Sequence, residues 1–385
     1  MYALLFSIFL MAFSANIPVS LFNFYEQLYQ LSKFDLTFVF AVYGVSLLIA
    51  LQLSGHLYRT FGYRAGVVLG LLLALCAGMF FTFGSSYLSL IIARVLNGAS
   101  LGVFMGGANT LLLLTGSRNR KIINLSGILT LFGFGFGPLF SGLCYEYLGV
   151  ELITLPFIVL MLAAVCIFIF LIPTLRQSKD LRSAAGSSLA ATAASPGNNR
   201  LFFAFVLPSI FLMFTLNSSI MALLPSVAVS VLHISNHALP GALLFILLSG
   251  GLLAKFLFPN AHDAWRVRTG IISILAGGWL MLLGSQLESL TVFVIAILFQ
   301  AAGCGFIFPG TLSLAAACAE GGDVSLNVSR FYLSAYSGMV IPTLLIGVLS
   351  GYTGIILALA ILLAALTILA CWLWRNAANP EPADR

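Results

Sequence analysis

Charge is what this sequence has least of. Only 7% of its 385 residues are Asp, Glu, Lys or Arg, against 61% hydrophobic; a soluble domain carries about 25% charged residues. Too few charges are present to coat a water-facing surface, which excludes an ordinary soluble globular domain. Acids are scarcer than bases, 11 against 17, and none falls near the middle of a long apolar run. A deep carboxylate is the usual counter-charge for a cationic substrate or a coupling proton, so its lack argues against a strictly cationic cargo. Cys76, Cys144, Cys166, Cys304, Cys318 and Cys371 form no CxxC pair. They read as small packing residues and give no disulfide or metal framework. The four histidines have no metal-ligand spacing and no Ser/His/Asp arrangement. A phosphate-binding GxxxxGK loop is absent, and no stretch has room for a soluble nucleotide-binding domain. Neither an enzyme nor an ATP-driven pump is expected, and no cofactor or metal is implied.

What is present is a series of apolar runs of about 20 residues, the length that crosses a hydrocarbon core of about 30 Å as a helix. By that criterion about twelve spans are expected, at 3–24, 36–54, 65–84, 87–113, 125–143, 153–173, 201–224, 240–258, 270–285, 289–318, 331–350 and 355–374. The run from Ala3 does not read as a cleaved signal, since no basic segment precedes it and Asn16 and Asn23 interrupt it. The basic residues set the orientation. With the N-terminus inside, Arg94 and Lys255 lie within spans, Lys33 alone lies outside, and every other Lys and Arg is cytoplasmic. The net charge of +6 then reflects topology, not a nucleic-acid partner. The expectation is a multi-pass protein of a bacterial cytoplasmic (inner) membrane, both termini cytoplasmic, with the lipid bilayer as its partner and a monomer as the working unit.

The stretch from Pro173 to Arg200 is rich in Ser, Ala, Gly and Asn. Such residues bury too little surface to offset ordering entropy. The expected organisation is a six-helix bundle over 1–173, a cytoplasmic linker over 174–200, a second six-helix bundle over 201–375 and a cytoplasmic tail over 376–385. The halves resemble each other at an offset of about 200 residues. The run from Ile92 to Gly102 aligns with that from Ile295 to Gly305, Phe13 to Asn16 with Phe214 to Asn217, and Pro138 with Pro342. A duplicated bundle is how many carriers place a substrate site at a pseudo-symmetric interface.

Polar residues within spans supply the candidate site. Asn16, Ser20, Asn23 and Gln27 are spaced i, i+4, i+7 and i+11, one narrow stripe if the first span is a continuous helix. Such a stripe either bonds a neighbouring helix or lines a wet cavity; cavity lining is favoured because Asn217 repeats its context, with both asparagines facing a shared central cavity. Arg94 is the one basic side chain deep in a span, and its repeat mate is Ile297. A guanidinium keeps its charge and needs partners or water there. It therefore reads as an anchor for anionic substrate groups or a coupling element, with a clamp onto a neighbouring helix as the alternative. Asn97 and Asn109 share its side of the helix, and Gln300 is the repeat mate of Asn97. Gly98, Gly102 and Gly106 on the same span, and Gly133, Gly137 and Ser141 on the next, give small-residue faces that let helices approach closely. Glu26 lies about 80° from the stripe and is the best carboxylate candidate for proton coupling; a solvated loop acid is its alternative.

These residues resemble the major facilitator superfamily over essentially the whole chain. Gly55-His56-Leu57-Tyr58-Arg59-Thr60-Phe61-Gly62-Tyr63-Arg64 is similar to the family's signature loop GxLaDrxGrr, matching at Gly55, Leu57, Gly62 and Arg64, with Arg59 where the family usually has Asp. Arg94 with Gly98 resembles the fourth-helix RxxxG element linked to proton coupling. Gly133, Gly137, Pro138, Ser141 and Gly142 resemble the fifth-helix gxxxGPxxGG element of drug:proton antiporters. The resemblance implies an all-α membrane fold of two pseudo-symmetric six-helix bundles. It implies a secondary exporter working by alternating access with protons as coupling ion. Arg94 without a facing carboxylate favours anionic, zwitterionic or neutral cargo, so small amphipathic or anionic organic molecules (a drug, metabolite or siderophore) are expected. The alternative is an importer or facilitator for an anionic metabolite; a channel or membrane-embedded enzyme is a more distant one.

Overall fold

Every regular element is helical in the computed structural model, which describes residues 2–114, 120–176, 199–233, 236–258, 261–318 and 324–376. In chain order these are α1 (Tyr2–Asn16), α2 (Phe22–Tyr29), α3 (Lys33–Phe61), α4 (Tyr63–Phe83), α5 (Tyr87–Leu114), α6 (Arg120–Leu148), α7 (Leu155–Arg176), α8 (Asn199–Leu201), α9 (Leu207–Ser230), α10 (Ala238–Ser249), α11 (Gly251–Leu257), α12 (Asp263–Gln286), α13 (Leu290–Ala317), α14 (Val324–Thr353) and α15 (Ile355–Asn376). Most of the expected linker over 174–200, and the tail beyond Asn376, lie outside the described residues.

Among the described residues eleven helices are long and apolar enough to cross a membrane, and an apolar segment at Ala238–Ala254 is shorter. That segment holds most of the expected span over 240–258, which is not one helix. It is interrupted at Gly250, between α10 and α11. Glycine carries the greatest backbone entropy cost in a helix. Gly251 also lets α11 touch α13: an added Cβ would stand 3.0 Å from Gly305 Cα and 3.1 Å from Ala301 O.

The first expected span is interrupted too. Pro18 lies in a 3-10 turn over Ile17–Val19 that ends α1, and α2 starts afresh at Phe22. Proline has no N–H to return to the carbonyl four residues earlier, so Ser14 O loses its helical partner. The continuous stripe expected through Asn16, Ser20, Asn23 and Gln27 therefore does not form, because the turn resets the register between Asn16 and Asn23.

The chain divides into two contact units, Met1–Leu31 with Phe38–Leu189 and Ser235–Phe245, and Ser32–Thr37 with Ala190–Ile234 and Ile246–Arg385. They follow the two sequence halves except for two short exchanged segments. The same pairing scheme recurs inside each. In the first, α1 packs on α6, α4 on α5 and α7, and α1 on α5; in the second, α9 packs on α14, α12 on α13 and α15, and α9 on α13. Hydrogen bonds repeat as well. Phe134 O accepts Asn16 Nδ2 at 3.1 Å in one unit, and Gly338 O accepts Thr215 Oγ1 at 3.1 Å in the other. Hydroxyl pairs Ser20–Ser141 and Ser218–Thr343 follow, at 2.6 and 2.8 Å.

Burial is graded. The most apolar windows of the first and seventh spans are 78% and 72% buried, whereas those of α7 and α15 are only 28% buried. Phe170 and Ile368, both 71% exposed, would leave large apolar surface in water; hydrocarbon is the solvent that suits them.

Candidate functional site

The site is built where α1 ends. Because Pro18 strips Ser14 O of its helical donor, a side chain from α5 supplies one: Asn97 Nδ2 donates to Ser14 O at 3.1 Å. One turn earlier on α5, Arg94 Nη1 donates to Ala15 O at 3.1 Å. Arg94 and Asn97 are each 1% exposed, and Ser100, three residues on, is fully buried. The Arg94 guanidinium carbon lies 5.0 Å from the ring centre of Phe22 on α2 and 5.5 Å from that of Tyr43 on α3.

Gly98 explains why Tyr43 reaches so far. A Cβ there would collide with Tyr43 O and stand 3.1 Å from Leu47 N, and one on Gly102 would stand 2.6 Å from Leu47 O. The bare backbone of α5 thus lets α3 lie directly against it, carrying the Tyr43 ring over the arginine. Tyr25, on α2 beyond the first span, is buried too. Burial, reinforced by Tyr29, pushes its phenol above the ordinary value, against the opposing pull of the Arg94 charge. It stays a neutral group at physiological pH.

The arginine is incompletely satisfied. Nε and Nη2 of Arg94, Oδ1 of Asn97, Oγ of Ser100 and Nδ2 of nearby Asn23 are all buried without a hydrogen-bond partner. Two desolvated cation–π contacts contribute about 2 kcal/mol or more each. An unmet buried donor costs about 1–3 kcal/mol, and more on a charged group. The rings and one carbonyl hold the cation, and two nitrogens, Nε and Nη2, keep their N–H donors unpaired.

The other candidates separate. Asn16, 7% exposed, and Ser20, 5% exposed, bond α6 through Phe134 O and Ser141 Oγ, an interhelical role in this structure. Gln27 and Asn109 are exposed, and Glu26 is half-buried on α2. In the second unit Gln300 is fully buried, donates from Nε2 to Ile274 O at 2.9 Å and leaves Oε1 unmet. Asn217 is half-buried, with Oδ1 unmet. The sequence reading missed Phe22, Tyr43 and Ser100; only Gly98, four residues after Arg94, pointed to a close neighbour there.

The fifth-helix element serves two neighbours. Gly133 and Gly137 face α1: a Cβ on Gly133 would stand 2.7 Å from Phe9 O, and one on Gly137 would strike Phe13 O and stand 3.1 Å from Ile17 N. Ser141 Oγ continues this face, donating to Ile17 O at 2.7 Å. Pro138 and Gly142 face the start of α10, where Gly241 meets Pro138 O and Gly142 meets His237 O and Ala238 Cα.

In the signature loop, Gly62 has φ +81° and caps α4, a conformation that favours glycine. Gly55 faces open space, and Arg64 lies in the first turn of α4. Arg59, standing where the family usually has Asp, is exposed. Its neighbour Tyr58 ties the loop to α5: the hydroxyl donates to Val103 O at 2.5 Å and accepts Gly107 N–H at 2.9 Å. Those two groups are four residues apart and bond each other in an uninterrupted helix, so the phenol enters the α5 ladder. Tyr58→Phe is expected to lower stability by about 1–2 kcal/mol, the cost of two lost hydrogen bonds partly regained by re-closing the ladder. A thermal unfolding midpoint equal to wild type would show the tether to be idle.

The family model of the Major Facilitator Superfamily matches residues 4–285. The chain belongs to that superfamily. No curated protein matches it. Solved structures share its fold. An inward-open form of the xylose transporter XylE from E. coli aligns at TM-score 0.78 and 13% identity, covering 100% of this chain and 96% of that one. The peptide transporter POT in complex with sulfate aligns at 0.76 and 13%, covering 98% and 94%. The nucleoside transporter NupG aligns at 0.73 and 12%, covering 97% and 99%. This member of the superfamily is a multi-pass integral membrane protein, a transporter and not an enzyme.

Proposed function

We propose that this transporter moves small organic molecules bearing an anionic or zwitterionic group by alternating access, in the export direction and in exchange for protons. One observation carries the substrate class: a fully buried arginine has two donor nitrogens without a partner and lies against two aromatic rings. Carboxylate, sulfonate and phosphate groups match a guanidinium fork in shape and charge. The rings suit an apolar or aromatic body beside the charged group, so amphipathic anions fit best. Export rests on the resemblance of the Gly133–Gly142 element to that of drug:proton antiporters. The protein works as a monomer in a bacterial inner membrane with both termini cytoplasmic, the orientation that its lysines and arginines favour.

Counterflow in proteoliposomes tests this reading. Benzoate, an aromatic sulfonate and zwitterionic phenylalanine should exchange, whereas the lipophilic cation tetraphenylphosphonium should not. Preference for the cation would overturn the anion assignment; uptake only down an inward gradient, without exchange, would favour the importer or facilitator reading. For coupling, Glu26 is the proposed carboxylate. Glu26→Gln is expected to keep benzoate exchange while abolishing substrate-driven pH change in the vesicle lumen. Unchanged proton movement would remove Glu26 and leave the charge of the substrate as the coupling element.

A further inference from the structure

Pro138, Gly142 and Glu146 recur every four residues along one face of α6, and all three meet the segment that opens α10. Glycine makes the first contacts ones of backbone on backbone: a Cβ on Gly142 would stand 3.2 Å from His237 O and 3.3 Å from Ala238 Cα. Phe132 meets Phe245 edge-on at 5.6 Å toward the other end of the seam. At its C-terminal end on α6, Glu146 Oε2 accepts the backbone N–H of His237 at 2.6 Å. The Tyr145 ring lies against the His237 imidazole, 4.3 Å between centres. Asn236 Oδ1 accepts the next two amides, Ala238 N at 2.8 Å and Leu239 N at 3.1 Å. The leading N–H groups of α10 are therefore shared between a residue of its own loop and a carboxylate of α6.

We propose that Glu146 is a positioning residue of the transport cycle, a clasp that holds the start of α10 against α6 and lets go when that seam opens. The proposal rests on the alternating-access reading above. A carboxylate on the amides that lead into a helix forms a charge-assisted bond, helped by the positive end of the helix dipole. It is releasable because Glu146 is only half-buried, so water replaces the amide once the backbones part. No lysine or arginine occurs in 22–29, 145–154 or 231–249; besides Glu146, the titratable groups of those segments are Tyr25, Glu26, Tyr29, Tyr145, Tyr147, Glu151, His233 and His237. Between its aromatic ends the seam is glycine and proline backbone, which buries little apolar surface, so a strong hydrogen bond at the Glu146 end adds appreciably to its balance.

Spin labels at Tyr147 on α6 and Leu239 on α10, in a cysteine-free background in lipid nanodiscs, report the seam by pulsed EPR distances. Wild type should show a dominant short distance and a minor long one. Glu146→Ala should raise the long-to-short ratio about tenfold, the effect of losing one charge-assisted hydrogen bond. Glu146→Gln keeps an oxygen that accepts the His237 N–H, and should stay within about threefold of wild type. If Glu146→Ala matches a two-distance wild type, the clasp is refuted while alternating access stands. If glutamine opens the seam as far as alanine, the hydrogen bond is not what holds it, and the proposal fails. A single unchanging distance in both wild type and alanine variant shows that the seam never opens, and alternating access at this seam falls with it.

Discussion

Arg94→Leu is expected to abolish benzoate counterflow while leaving the protein folded and inserted. On the proposed function, the two unpartnered nitrogens, Nε and Nη2, are the ones that a substrate anion would take. Two charge-assisted hydrogen bonds at about 1.5 kcal/mol each correspond to roughly a hundredfold in exchange. Stability should not fall in step. Leucine fits among Phe22 and Tyr43 without a buried charge, and replacing buried ions by apolar side chains is often neutral or stabilising. Ser14 O keeps Asn97 as its donor; Ala15 O loses the arginine's hydrogen bond. Arg94→Lys should fall between, since an ammonium retains the charge but not the planar fork. Normal flux through a well-folded Arg94→Leu protein would reduce the arginine to a clamp on α1.

The second large effect is expected at Gly137. Leucine there places Cβ onto Phe13 O and within 3.1 Å of Ile17 N. Both are backbone atoms that no rotamer change can move aside. Helix α1 must retreat from α6, weakening the Asn16–Phe134 and Ser141–Ile17 bonds, and overpacking of this kind costs about 1–3 kcal/mol before those losses. Turnover should drop to background and the thermal midpoint should fall. Gly127→Ala on the same helix, where nothing lies within 4 Å, should behave as wild type. If Gly137→Leu keeps wild-type turnover, the α1–α6 contact is not needed for transport.

Several features at Arg94 were readable in advance. Its depth in a span, its missing carboxylate and the glycine four residues later are all local in sequence. The aromatic partners were not. Phe22 and Tyr43 are two among 33 phenylalanines and 12 tyrosines, and nothing in their own neighbourhoods separates them from rings that face lipid. The polar stripe misled for a definite reason: its spacing assumed one helix through Pro18, and a missing N–H at that residue ends the helix instead. The same break makes Ser14 O an acceptor for Asn97, so the feature that spoiled the stripe also helps to build the site.

The sequence by itself determined that the chain is helical, crosses a membrane many times and is duplicated. Crossing hydrocarbon demands about 20 apolar residues with every backbone group bonded within the segment, and that requirement is written residue by residue. Tertiary structure alone decided which helix each polar group meets. The fifth-helix element illustrates the division: its Gly-Pro spacing announces close packing, but not that Gly137 meets α1 while Gly142 meets the start of α10. Nor does any local pattern tell Glu146, bound to the His237 amide, from an acid merely solvated at a helix end. Partner choice depends on distances between segments far apart in the chain, and short-range composition carries no record of them.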